Sequence, residues 1–200
     1  MEVSSPQARR TRALEIVHED DLARKAIQDT AMGAPTGWKG QVDMGGFLVC
    51  SDADAPQNTA LSTCGICSCA LIVVHCIDNK GALGHFANTE TVDKIVKAVR
   101  DMIGVLSPSA VDCVVIAGGL GAADETEREL VVKGINALGV TDAVWIKEIK
   151  GDTGFDGGVY LPKQGKLALY SDTKPGTVPF DSSNKLGLYN YTGGKPYKWR

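Results

Sequence analysis

The chain has no surplus of basic residues and no apolar run long enough to cross a membrane. Its 21 Lys and Arg side chains are outnumbered by 24 Asp and Glu, and the formal net charge is −3. No basic field is available to hold a phosphate backbone, so nucleic acid is not an expected partner. The longest apolar run, residues 70–74, is far shorter than the roughly 20 residues that a spanning helix needs. We therefore expect no membrane insertion.

We also expect no secretory signal, because residues 1–30 lack the charged start and the apolar core of one. We expect a cytoplasmic protein, although an effector or toxin delivered into a host cell by a specialised secretion machine would look the same. A disulfide framework is not expected in a chain of this length without an export signal. The six cysteines, four of which lie within residues 64–76, therefore need another explanation.

The length of 200 residues and the hydrophobic content of 44% favour one compact domain with tails. The apolar patterns predict an α/β fold, an α+β sandwich in which a central mixed β-sheet with hairpins is packed by two long helices. Residues 1–40 are predicted as a helical extension and residues 171–200 as an extended tail. The predicted strands are residues 46–51, 68–77, 82–86, 111–117, 143–149, 159–162 and 166–170, and the predicted helices are residues 88–106 and 124–138.

The candidate catalytic residues lie in the segment from Thr63 to Cys69 and at His85, sixteen positions after Cys69. A thiol nucleophile needs a base, a group that orients the base, and N–H donors for an oxyanion. If the hairpin loop is centred near residues 77–78, Cys69 and His85 face each other with Cβ atoms about 4.5–5.5 Å apart. If a tight turn lies at residues 79–80 instead, His85 faces residue 74 and the pair separates.

These residues resemble the chemoreceptor glutamine deamidases of the CheD-like family, which share their fold and active site with the cytotoxic necrotizing factor toxins. In that family a Thr lies six positions before the catalytic Cys and a Ser immediately before it, as Thr63 and Ser68 do here. The family's His-bearing strand resembles Gly81-Ala-Leu-Gly84-His85, which follows the acidic turn at Asp78. The resemblance covers roughly residues 41–170. Departures include Cys67, where a glycine is usual, and residues 86–88, which replace an apolar stretch and a proline.

The resemblance implies that residues 41–170 are a deamidase domain with a Cys-His-Thr triad. Cys69 would be the nucleophile, His85 its base, and Thr63 the residue that fixes the His85 tautomer. The enzyme would convert a glutamine side chain of a protein into glutamate and ammonia through a thioester, with transglutamination as a side activity. No metal or other cofactor is implied. The expected partner is a glutamine-bearing protein, such as a chemoreceptor, a small GTPase or another signalling protein.

Two other function classes stay open on the sequence alone. Cys64 and Cys67 form a CxxC pair that could belong to a zinc site, completed by neighbouring Cys or His residues, or to a redox centre. No second CxxC exists, and strand alternation sends adjacent side chains to opposite faces. A non-catalytic binding module on the same scaffold is the third reading.

Several further residues are predicted to be structural. His75 competes with His85 as the base, but it lies about 20 Å from Cys69 along an extended strand. Cys50, Cys76 and Cys113 are expected in the core, because free cysteine is among the most buried residue types. Gly118, in a glycine-rich stretch after a strand, is predicted to serve a tight turn rather than a phosphate loop.

Overall fold

The computed structural model of the chain describes residues 9–10, 14–18, 39–66, 69–87, 90–118, 125–140, 142–146, 157–170, 187–190 and 196–197. The helices are α1 (Val92–Leu106) and α2 (Glu125–Asn136), and a short 3-10 helix spans Pro162–Gln164. The strands are β1 (Arg9–Arg10), β2 (Glu15–His18), β3 (Lys39–Gln41), β4 (Gly46–Cys50), β5 (Ala60–Cys64), β6 (Ala70–Cys76), β7 (Gly81–Phe86), β8 (Val111–Ala117), β9 (Ala143–Ile146), β10 (Gly157–Leu161), β11 (Lys166–Tyr170), β12 (Gly187–Asn190) and β13 (Pro196–Tyr197).

The strands divide between two sheets. One sheet has the order β1-β2-β11-β10-β5-β3, and the other has the order β13-β12-β4-β7-β6-β8-β9. A core between the sheets contains Leu61 and Tyr160 from the first and Leu71 from the second. The other face of the second sheet packs against α1 and α2. The predicted α+β sandwich with two helices is confirmed, and its layers are sheet, sheet and helices.

The central strand β6 is buried at every position. Leu71 and Val73 point into the core between the sheets, whereas Ile72 and Val74 point towards the helices. This alternation follows from the period of two in a strand, and covered faces on both sides explain the unbroken apolar sequence. Burying each such side chain contributes about 1.5–3 kcal/mol, so a register slip of one residue would be costly.

Helix α1 places a stripe of apolar side chains on the sheet at the spacing of an amphipathic helix. The buried residues are Ile95, Ala98, Val99, Met102 and Leu106. The helix begins later than predicted, since Thr91 is its N-cap and makes no side-chain capping bond. Neither α1 nor α2, the helices of the described residues, is long and apolar enough to cross a bilayer.

The described parts of both extensions belong to the sheets. Within residues 1–40, the helical prediction is wrong for β1, β2 and the start of β3, which are strands. Strand β2 pairs in parallel with β11, and Leu14 and Ile16 are fully buried in the core between the sheets. Strand β12, from the predicted tail, pairs with β4. The remaining residues of both extensions lie outside the described part of the chain.

Candidate active site

Thr63 and His85 meet across the space between the two sheets. Thr63 lies on β5 and His85 on β7, and Oγ1 of Thr63 is 2.8 Å from Nδ1 of His85. The same hydroxyl donates to the carbonyl of Val42 at 2.8 Å. A hydroxyl has one hydrogen and a carbonyl can only accept, so Nδ1 of His85 must donate to Thr63. In neutral His85 the basic lone pair is therefore on Nε2.

His85 is buried, with 4% of its surface exposed. Burial lowers the pKa of its imidazole, and the carboxylate of Asp43 partly offsets this by favouring the charged form. The ring is consequently neutral at neutral pH and can accept a proton. A buried imidazole of fixed tautomer with a nearby carboxylate has the properties of a general base.

The turn between β3 and β4 connects the two sheets beside His85. The N–H of Val42 donates to the carbonyl of Ser62 on β5 at 2.9 Å. The N–H of Gly45 donates to the carbonyl of His85 on β7, also at 2.9 Å. Gly45 has a φ of +90°, a conformation that favours glycine. These bonds hold Asp43 and Met44, which lie between them, at the site.

Cys69 lies immediately before β6 and is 8% exposed. Its Sγ is 4.0 Å from Sδ of Met44, a distance at which the thiol can point its hydrogen at the thioether. An exposed residue, Met44, thus contacts the thiol of the buried Cys69.

The register of β6 and β7 differs from both predicted alternatives. His85 faces Leu71, so Cys69 is displaced two residues from the directly facing position. The reason is a four-residue connection, residues 77–80, in which Asn79 adopts a φ of 58° and the N–H of Cys76 donates to the carbonyl of Lys80. Residues diagonal in this way share a face and lie about 7–8 Å apart in a regular pair, with Cβ atoms somewhat closer and within reach of an imidazole ring.

Gly118 approaches the backbone of Cys69 closely. It follows β8, whose last residue, Ala117, faces Leu71. A Cβ at position 118 would lie 2.6 Å from the carbonyl oxygen of Cys69, and the φ of Gly118 is +106°. A residue with a side chain would therefore push the segment of Cys69 away from β8. The sequence suggested a turn glycine but not this contact.

His75 lies elsewhere, in a core cluster with Tyr160. Nδ1 of His75 is 2.6 Å from the Tyr160 hydroxyl, and both residues are fully buried. His75 faces Gly81, and a side chain at Gly81 would collide with the Tyr160 hydroxyl. Gly81 and His85 are four positions apart on β7, about 13 Å along a strand. The geometry therefore gives His75 a structural role.

Cys50 and Cys113 flank this cluster across the seven-stranded sheet. Cys50 faces Gly81, and Cys113 faces His75. Burial raises the pKa of Cys50 to about 11, so that it remains a neutral thiol. The prediction that these cysteines are core residues is confirmed, as it is for Cys76, which is fully buried.

The CxxC pair includes Cys67, which lies outside the described residues, as does Ser68. Among the residues that the structure describes, no three His, Cys, Asp or Glu side chains are arranged to hold a metal ion. Three contributions to the site were absent from the sequence prediction: the Val42 carbonyl, the Asp43 carboxylate and the Met44 side chain. A backbone carbonyl has no residue signature, so the sequence could not indicate the contact of Val42.

Comparison with protein-family models and with curated proteins finds no match to this chain. We therefore infer the function from the geometry of Thr63, His85 and Cys69.

Proposed function

We propose that this chain is a cysteine-dependent protein-glutamine deamidase of the CheD-like type. Cys69 is the nucleophile, His85 the general base, and Thr63 the residue that orients the base. The observation that carries the proposal is the pair of hydrogen bonds made by Thr63, because they leave Nε2 of His85 as the basic nitrogen. Support also comes from the position of Cys69 on the same face as His85.

The first half-reaction forms a thioester. Nε2 of His85 takes the thiol proton of Cys69, and the sulfur attacks the carboxamide carbon of the substrate glutamine. The carbonyl electrons move to oxygen, where backbone N–H groups near Cys69 would stabilise the charge. As the carbonyl re-forms, the C–N bond breaks and the imidazolium gives its proton to the nitrogen, so ammonia leaves.

The second half-reaction consumes water. Nε2 of His85 removes a proton from water, the hydroxide oxygen attacks the thioester carbon, and the C–S bond breaks. The thiol recovers the proton and the product is glutamate. An amine in place of water would give transglutamination from the same intermediate.

The substrate in this proposal is a glutamine on the surface of another protein, such as a chemoreceptor, a small GTPase or another signalling protein. Cys69 is 8% exposed, so a substrate group must project from its own backbone to reach the thiol. Glutamine meets this requirement because two methylenes separate its carboxamide from the main chain.

The test is incubation of the purified protein with a glutamine-rich protein mixture, measuring released ammonia and glutamine-to-glutamate mass shifts. We expect Cys69→Ala to abolish both signals. The matched control is Cys50→Ala, which removes another buried thiol outside the site and should retain activity. Equal activity in Cys69→Ala, or no activity in the unaltered protein, would refute the proposal.

A further inference from the structure

Met44 is an exposed apolar residue in an otherwise restrained turn. Its side chain is 62% exposed, yet its sulfur contacts the thiol of Cys69. The preceding Val42 carbonyl accepts the Thr63 hydroxyl, and the following Gly45 N–H donates to His85. The backbone on both sides of Met44 is therefore fixed to the hydroxyl of Thr63 and to the main chain of His85, while Met44 itself is largely exposed.

Met44 offers an exposed apolar side chain beside the thiol of Cys69. Attack requires the carboxamide carbon to come within about 3–3.5 Å of Sγ of Cys69. Sδ of Met44 is 4.0 Å from that sulfur. A glutamine that approaches on the side of Met44 therefore brings the methylenes next to its carboxamide carbon into the contact range of about 4–4.5 Å that apolar groups share. An unbranched thioether can adapt its rotamers to such a short aliphatic stem.

We propose that Met44 is a specificity-determining residue, which packs against the two methylenes of the substrate glutamine and so favours glutamine over asparagine. The inference rests on the proposed deamidase function and adds a substrate-contacting residue to it. Asparagine has one methylene fewer, and in an apolar site one methylene changes kcat/KM by about tenfold or more.

The experiment compares two peptides that differ only in glutamine or asparagine at one position. Met44→Ala should raise the KM for the glutamine peptide by about tenfold and reduce the glutamine preference by a similar factor. Its kcat should stay within about twofold, because Met44 makes uniform binding contacts. Met44→Leu, which keeps an apolar side chain of similar size, should restore most of the preference.

The control is Ile77→Ala. Ile77 is an equally exposed apolar residue, 63% exposed, at the opposite end of β6, about 25 Å from Cys69 along the strand. It should leave KM and kcat unchanged. An equal fall in kcat/KM on both peptides in Met44→Ala would indicate a structural role and overturn the inference. If turnover of the asparagine peptide is too slow to measure, the KM for the glutamine peptide alone tests the role of Met44.

The two proposals fail in different ways. An active protein whose KM is unchanged in Met44→Ala refutes the role of Met44 and leaves the deamidase standing. A protein that deamidates no glutamine substrate refutes the deamidase and, with it, the role of Met44.

Discussion

The hydroxyl of Thr63 and the imidazole of His85 are joined by a hydrogen bond of 2.8 Å that links the two sheets of the sandwich. Both residues are buried, so the bond is shielded from water. Because the hydroxyl hydrogen is already directed at Val42, the bond also fixes which nitrogen of His85 can accept a proton. One side chain thus serves both the packing of the sheets and the proposed chemistry.

The first prediction concerns that hydroxyl. Thr63→Val keeps the shape but removes the acceptor for Nδ1 of His85, so the imidazole loses its fixed tautomer. We expect kcat/KM for deamidation to fall by about 10- to 100-fold. This loss is part of the rate enhancement of roughly 10²–10⁴-fold that a positioned base supplies. Steady-state kinetics on a glutamine peptide would measure it.

Thr63→Ser is the matched control, because it retains the hydroxyl and loses only a methyl group. It should remain within about threefold of the unaltered protein, since the orienting bond survives. Full activity in Thr63→Val would contradict the orienting role.

The second prediction concerns pH. Burial lowers the pKa of His85, and Asp43 opposes the shift. The proposed mechanism needs neutral His85, so activity should persist below the ordinary histidine pKa of about 6.5 and disappear as the pH falls through the lowered pKa. Asp43→Asn removes the opposing carboxylate. The acidic limb of kcat/KM should then move to still lower pH.

Asp52→Asn is the control, since Asp43 is the carboxylate that raises the pKa of His85. Its pH profile should match that of the unaltered protein. A shift of the Asp43→Asn limb to higher pH would show that His85 is not the group that titrates.

The third prediction separates backbone strain from contact with Cys69. Gly118 and Gly139 both have positive φ, +106° and +87°, and a Cβ at Gly139 would meet nothing within 4 Å. Alanine at either position should cost about 1–2 kcal/mol of strain. Only Gly118→Ala should also displace the carbonyl of Cys69. Deamidation should then slow by at least about tenfold, because a misplacement of about 1 Å can lower a rate by about 100-fold.

Urea denaturation and kinetics on both variants would make the comparison. A loss of activity in Gly139→Ala equal to that in Gly118→Ala would mean that instability, rather than the position of Cys69, lowers activity.

Local apolar patterns were sufficient to predict the elements around the site. Strand β8 occupies the predicted residues 111–117, and the β6–β7 hairpin forms as expected. These segments bury nearly all their side chains, so their apolar sequence pattern matches the buried position that they occupy in the fold. The predicted helix near Leu14 and Ile16 failed because the core between the sheets accepts those side chains from a strand. Tertiary burial outweighed local propensity there.

The site was predictable in its residue types but not in its distances. The spacing of Thr63, Cys69 and His85 indicated a thiol site, and the structure joins Thr63 to His85. The register depends on the four residues between β6 and β7, whose conformation the sequence does not determine. The Val42 carbonyl and the Met44 contact depend on how a distant turn packs, so neither has a local signal.

The last prediction concerns His75 and the stability of the fold. Burial lowers the pKa of His75, while Asp112 and Asp78 partly raise it. The folded state therefore excludes a proton that the unfolded chain binds. The stabilising contribution is complete above the unfolded pKa of about 6.5 and is lost as the pH falls towards the lowered pKa, by at most about 1.4 kcal/mol per pH unit.

His75→Phe should therefore flatten the pH dependence of the free energy of unfolding between about pH 5 and 7. Some dependence should remain, because His85 is also buried with a lowered pKa. Tyr160→Phe removes the hydrogen-bond partner of a buried imidazole and should destabilise the fold by about 1–3 kcal/mol. Deamidation by folded Tyr160→Phe should be unchanged. If the free energy of unfolding of His75→Phe depends on pH as steeply as that of the unaltered protein, His75 is not a source of the pH dependence.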